Sequence, residues 1–216
     1  MSASNDSGGR PLPPDLGRLL HDLRGPLNSL TMHLEVLRRS TGGAPTEESV
    51  RTMQEQLGRL GAMLPSAFAI AALEVGAAAP VDLRAVATAA SQSAGGPVTL
   101  APGPWPSVRG DATLLTLALT HLLRNAVEAT AAAGNAQSPE VHPSEEGDEV
   151  RVAVRDRGPG FRTTNANLLI KLMHSTKPGH AGVGLLTVER IARLHGGTIR
   201  FESPGDGAVV TLVLRR

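Results

Sequence analysis

Leucines at 16, 20, 23, 27, 30, 34 and 37 alternate spacings of four and three, with mostly polar residues between them. That is the period of a helix that packs one stripe against other helices, and it predicts a helix from about Asp15 to Arg39. Ser40 to Pro45 read as a turn. Thr46, Glu47 and Glu48 then supply a helix start. Val50, Met53, Leu57, Leu60 and Leu64 repeat the heptad in a second helix reaching about Glu74. Two amphipathic helices joined by a short turn form a hairpin with an exposed seam. Pairing two copies into a dimeric four-helix bundle is the economical way to bury it.

The pattern changes after the small residues Gly76 to Pro80. Val81–Ser93 reads as a helix, Val98–Leu100 as a short strand and Asp111–Ala133 as a strong helix rich in leucine. Residues 134–147 are polar and rich in breakers, which predicts an exposed loop. Val150, Val152 and Val154 alternate with Arg151, Ala153 and Arg155, a half-buried strand. Residues 157–181 look irregular. Val183–Leu194 is a helix stopped by His195-Gly196-Gly197, and strands at Thr198–Glu202 and Ala208–Leu214 flank the turn 203–207. The expected division is a disordered lead (1–14), a helical hairpin (15–75), a linker (76–80) and a mixed α/β domain (81–216).

Composition narrows the function classes. The formal net charge is +1 and the basic residues are scattered, so no nucleic-acid footprint is expected. Without cysteine there are no disulfides and no thiolate metal sites. Aromatics make up 2%, so the core must be mostly aliphatic. The longest apolar stretch, Leu64 to Pro80, is interrupted by Pro65, Ser66, Glu74 and Gly76, too broken to span a bilayer. No signal peptide is visible, so a soluble, cytoplasmic protein without membrane insertion is expected. About fourteen residues precede the first helix, too few for a sensor domain.

Candidate chemistry lies in four places. His21 sits one residue off the leucine seam, beside Asp22, where an imidazole reaches solvent from a rigid backbone. Pro26 cannot donate to the Asp22 carbonyl, which predicts a loosened or bent helix there; an ordinary surface histidine would show the same pattern. Asn125, mid-helix with His121 one turn earlier, suggests a lined pocket or a solvated face. Asp156-Arg157-Gly158-Pro159-Gly160 closes the valine strand with a carboxylate and spaced glycines, suiting close approach of a planar ligand or a plain turn. Gly182-Val183-Gly184 opens a helix whose free amides favour phosphate. It is no dinucleotide fingerprint, because Thr187 stands where a third glycine is needed, and no P-loop run occurs.

In this order, the segments resemble the boxes of two-component sensor histidine kinases. His21-Asp22-Leu23-Arg24-Gly25-Pro26-Leu27 is similar to their phosphoacceptor box, and Leu122 to Ala129 to their asparagine box. Asp156-x-Gly158-x-Gly160 and Gly182-Val183-Gly184-Leu185 resemble their two glycine boxes. Ser175 to Gly179 resemble the end of the nucleotide lid, and Ile191 to Ile199 with the terminal hairpin also fit. The resemblance covers roughly residues 15–216.

It implies a dimeric helical hairpin followed by an α/β sandwich of the GHKL (Bergerat) ATPase type, using ATP and Mg2+. By resemblance, Asp156 reads the adenine amine, Asn125 holds Mg2+, and Gly158, Gly160, Thr176, Lys177, Gly182 and Gly184 complete the nucleotide site. His21 is then the phosphoacceptor and Asp22 holds or deprotonates its imidazole. The implied partners are a second copy of the chain, a response-regulator receiver domain and a separate sensor protein.

Some positions depart from the family pattern. His121 stands where many members have asparagine, and Gly25 replaces a residue often linked to phosphatase action. Leu168 to Met173 stand in for a phenylalanine-rich lid. The expected activity is ATP-dependent autophosphorylation of His21, then transfer to an aspartate. Its rivals are a histidine phosphotransferase or a signalling scaffold of the same architecture with impaired ATP turnover, and a serine kinase of the anti-sigma type.

Overall fold

Side-chain oxygens at two aspartates start the two helices that organise the carboxyl-terminal part of the chain. Asp82 Oδ1 accepts from the amides of Arg84 (2.8 Å) and Ala85 (3.3 Å), and Asp111 Oδ1 from those of Thr113 (2.9 Å) and Leu114 (3.1 Å). Each satisfies amides that a helix start leaves without partners. The resulting helices are α3 (Leu83–Gln92) and α4 (Ala112–Ala132). The computed structural model describes residues 14–39, 47–170 and 183–216. They fall into two compact units, divided between Gly61 and Ala62.

The first unit contains α1 (Pro14–Arg39) and the first part of α2 (Glu47–Ala71). Helix α1 continues across Pro26. Its leucines separate into two sets. Leu16, Leu23 and Leu30 are half-buried, whereas Leu20, Leu27 and Leu34, seven residues apart, are 49%, 51% and 58% exposed.

The second unit runs from Ala62 to Arg216. Strand β1 (Ala79–Asp82) pairs antiparallel with β3 (Ser107–Gly110). A five-stranded sheet is formed by β2 (Thr99–Leu100), β4 (Glu140–Glu146), β5 (Glu149–Arg155), β6 (Thr198–Glu202) and β7 (Val209–Arg215), in the order β2-β4-β5-β7-β6. Among the described residues only the β2–β4 pairing is parallel. Val150, Val152 and Val154 of β5 register with Leu214, Leu212 and Val210 of β7. All six are buried on one sheet face, where α4 and α6 (Gly184–Leu194) pack. The opposite face carries Arg151, Arg155, Arg200 and Glu202, which are half-buried or exposed. The unit is a two-layer α/β sandwich with its core between helices and sheet. A short helix, α5 (Ala166–Leu169), follows β5.

Five sequence expectations need correction; the first is the irregular stretch expected at 157–181, in which residues 166–169 form α5. The loop expected at 134–147 contains β4, which holds Val141 fully buried and takes its order from antiparallel pairing with β5. The linker expected at 76–80 runs into β1 at Ala79, and the helix expected from Val81 begins at Leu83, because Val81 and Asp82 complete that strand. The second helix ends at Ala71 rather than near Glu74.

Within the second unit, the segment that follows α2 is tied to α6 and to the start of α4. Arg190 Nη2 donates to the Leu73 carbonyl (3.3 Å), and the Gly76 amide donates to Asp111 Oδ2 (3.1 Å). The amide hydrogen bonds from Leu114 and Gly76 hold the Asp111 carboxyl below the usual Asp value. His195, at the end of α6, completes the joint. Its Nε2 accepts from the Asp111 amide (3.0 Å), so Nδ1 carries the proton and donates to the Ile191 carbonyl (2.8 Å).

Candidate nucleotide site

Strand β5 delivers Asp156 to the sheet end, where its side chain is 8% exposed. A buried carboxylate needs hydrogen-bond partners. Here Oδ1 accepts from two backbone amides, those of Gly158 (2.8 Å) and Ala208 (3.0 Å). The Asp156 amide in turn donates to the Ala208 carbonyl (2.9 Å). Oδ1 is thus engaged twice, and among the described residues no hydrogen bond reaches Oδ2.

The loop after Asp156 lies against α4. The Arg157 amide donates to Thr130 Oγ1 (3.1 Å). A Cβ on Gly158 would sit 2.8 Å from Ala129 Cβ and 2.9 Å from the Ala129 carbonyl oxygen, so only glycine allows this approach. Gly160 has φ +71° and faces Ser203 and Gly207. Asn125 lies one helical turn before Ala129 on α4 and is half-buried, as is His121. His121 in turn adjoins α6: a Cβ on Gly184 would be 3.4 Å from its Nδ1. Burial, with a smaller contribution from Arg124, holds the His121 imidazole below the usual histidine value. Helix α6 opens at Gly184 with no side-chain cap on its first amides.

The structure therefore gathers Asp156, Gly158 and Gly160 on one loop, sets that loop against α4, and brings the same helix, through His121, to Gly184. Thr176, Lys177 and Gly182 lie outside the described residues. In the other unit, His21 has 83% of its side chain exposed and Asp22 15%. Their closest approach is His21 Nδ1 to Asp22 Oδ1, at 3.6 Å. Among the described residues no group of three or more His, Asp or Glu is placed to hold a metal. None of the described helices is long and apolar enough to cross a membrane.

Sequence reasoning missed Thr130 and Ala208. Thr130 is one of several small polar residues on α4. Ala208 has no side-chain signal, and only the β5–β7 register reveals that its amide meets Asp156.

Comparison with known proteins agrees with this geometry. Residues 110–216 match the family described as histidine kinase-, DNA gyrase B-, and HSP90-like ATPase. Sensor histidine kinase ZraS of Escherichia coli K12 is 26% identical over 204 residues, covering 90% of this chain and 43% of ZraS. Sensor-like histidine kinase SenX3 of Mycobacterium tuberculosis H37Rv is 30% identical over 217 residues, covering 90% of this chain and 51% of SenX3. The chain thus spans about half the length of these curated relatives. Among solved structures, full-length ShkA in complex with AMPPNP superposes with a TM-score of 0.56 and 25% identity, covering 94% of this chain and 46% of ShkA. The ATP-binding domain of PrrB from Mycobacterium tuberculosis gives a TM-score of 0.50 and 27% identity, covering 65% of this chain and 98% of that domain. The chain is thus similar to sensor histidine kinases over 90% of its length, and its residues 110–216 match the histidine kinase-, DNA gyrase B- and HSP90-like ATPase family.

Proposed function

We propose that this chain is an ATP-dependent protein-histidine kinase that phosphorylates His21 and passes the phosphoryl group to an aspartate of a response-regulator receiver domain. The observation that carries the reading is Asp156. Two backbone amides consume one of its oxygens, so the other is left in a fixed place to accept from the exocyclic amine of adenine. The Gly158–Ala129 approach and the uncapped start of α6 fit the remainder of a nucleotide. Asn125 is the residue to hold Mg2+ on the phosphates, with Gly158, Gly160, Thr176, Lys177, Gly182 and Gly184 completing the site.

Bound Mg·ATP supplies the transferable γ-phosphoryl group. On the protein side, the chemistry rests on which imidazole nitrogen is free. Asp22 approaches Nδ1 of His21. A carboxylate there favours the tautomer with the proton on Nδ1, leaving the Nε2 lone pair toward solvent. Nε2 is then the nucleophile: an N–P bond forms as the bond between the γ-phosphorus and the bridging oxygen breaks, and Asp22 takes up the imidazole proton. The exposed Leu20, Leu27 and Leu34 are the seam for a second copy, giving a homodimeric four-helix bundle from residues 15–75. The residues after α2 link that bundle to a catalytic domain that opens with β1 (Ala79–Asp82). A separate sensor protein would supply the stimulus.

The test is incubation with γ-labelled ATP. Acid-labile label on the unaltered chain, and none on His21→Ala with nucleotide affinity kept within a few-fold, is the expected result. Wild-type labelling of His21→Ala would move the acceptor elsewhere, and no labelling of the unaltered chain would refute the kinase.

A further inference from the structure

The β6–β7 turn reads in the sequence as a plain connection, yet the bonds that shape the Asp156 loop converge on it. Ala208 exchanges hydrogen bonds with Asp156 through both its amide and its carbonyl. Ser203 Oγ accepts from the Phe161 amide (3.1 Å) and donates to the Gly207 carbonyl (3.2 Å). Phe161 packs edge-on against Phe201 of β6, with ring centroids 5.7 Å apart. Gly207, at φ +141°, lies directly on the Asp156 carbonyl and leaves no room for a Cβ.

The remaining member is Asp206. Its two oxygens accept from Arg155 Nη2 at 2.8 and 2.6 Å, and Oδ2 also accepts from Arg157 Nη1 at 2.9 Å. Arg155 and Arg157 are the residues on either side of Asp156. Arg157 has one further partner, Glu140 Oε1 at 3.3 Å. The Nε atoms of both arginines are buried without a hydrogen-bond partner, so their terminal nitrogens carry the pairing, and both meet on Asp206.

We propose that Asp206 is a positioning residue for nucleobase selection: by gripping the guanidiniums on both sides of Asp156, it fixes the orientation in which one Asp156 oxygen stays on the backbone and the other meets the base. The inference rests on the reading of Asp156 as the adenine acceptor. Asp206 itself is 56% exposed, so it lies at the surface and touches the base only through its neighbours. Isolated surface pairs contribute little; three charge-assisted bonds converging on residues adjacent in sequence to the acceptor restrict that acceptor's backbone directly. Hydrogen bonding from Arg155 holds the Asp206 carboxyl below the usual Asp range, consistent with a carboxylate kept ionised for this grip.

The experiment measures binding of Mg·AMP-PNP and Mg·GMP-PNP to the full chain by calorimetry. Asp206→Asn should weaken AMP-PNP about three- to tenfold, the loss of part of a set of charge-assisted bonds, and leave GMP-PNP affinity unchanged. Asp206→Glu, which keeps the carboxylate, should recover most of the adenine preference. Equal losses for both nucleotides, or no loss, would overturn the proposal, and so would a Glu variant no better than the Asn variant. Asp156→Asn runs in parallel. If it abolishes adenine preference while Asp206→Asn does not change it, the positioning role fails alone. If Asp156→Asn keeps the preference, the adenine reading beneath it fails.

Discussion

Replacing Asp156 separates folding from ligand recognition, because its two oxygens do different work. Oδ1 accepts from the half-buried amide of Gly158 and the buried amide of Ala208. In Asp156→Ala both amides lose their partner, at about 1–3 kcal/mol each, so a loss of about 2–6 kcal/mol is expected. In Asp156→Asn the amide oxygen still accepts from both. Charge-assisted bonds become neutral ones, costing about 1–2 kcal/mol in total. Rotating the Asn by half a turn offers no escape, since its NH2 would then face two N–H donors. The NH2 is therefore forced into the place of Oδ2, where an adenine amine would meet a donor instead of an acceptor. For a unit of this size each kcal/mol shifts the melting midpoint by about 2–4 °C. Asp156→Asn should melt about 2–8 °C below wild type yet bind AMP-PNP at least about a hundredfold more weakly, the worth of a charged hydrogen bond plus donor–donor repulsion. Asp156→Ala should lose much more stability. Scanning calorimetry and isothermal titration read the two quantities separately. An Asn variant that binds AMP-PNP within about threefold of wild type would refute the division of labour between the two oxygens.

Leu27→Asp places a charge in the exposed leucine set of α1 and should convert a dimer to monomer by light scattering, with the ATPase fold intact by its AMP-PNP binding. Gly25 is exposed, and a Cβ there meets nothing within 4 Å. Gly25→Thr should therefore fold normally, and it should raise the decay rate of a phosphorylated cognate regulator above that given by the unaltered chain, because a hydroxyl one turn beyond His21 can aim water. His121 has its pKa lowered by burial, so the unfolded chain binds its proton more readily. Its contribution to stability is complete above the unfolded value, about 6.5, and falls as pH drops below it toward the lowered folded value. Melting should fall between pH 7.5 and 5.5, and His121→Gln should flatten that slope.

The helices were legible because burial imposes a period on them. The leucines of 111–133 gave α4 to within a residue at each end, and the alternating valines of 150–154 gave β5. Strand β4 was not legible: only Val141 of its seven residues is fully buried, and Pro143 sits where a strand pattern would exclude it. Its order comes from β5, which local sequence does not encode. The residues proposed for the site were legible as types, an aspartate before spaced glycines and a mid-helix asparagine. Their support was not. Ala208 contributes only backbone, and Asp206 acts on arginines about fifty positions earlier, so both depend on a strand register visible only in three dimensions.

The Asp111 joint determines which elements a load on residues 73–76 would reach first. The segment leaving α2 is fastened through Gly76 to the first turn of α4 and through Leu73 to α6, with His195 clamping the two helices at the same corner. A twist applied to residues 73–76 is therefore felt first by helices rather than by the sheet. It reaches Asn125 along the rigid axis of α4, about 20 Å from the cap at 1.5 Å per residue. Asp156 is braced from the sheet side by Ala208. Helix α4 also carries the Arg157 amide on Thr130 and the Gly158 approach to Ala129, so a turn of α4 would be passed both to Asn125 and to the loop that follows Asp156.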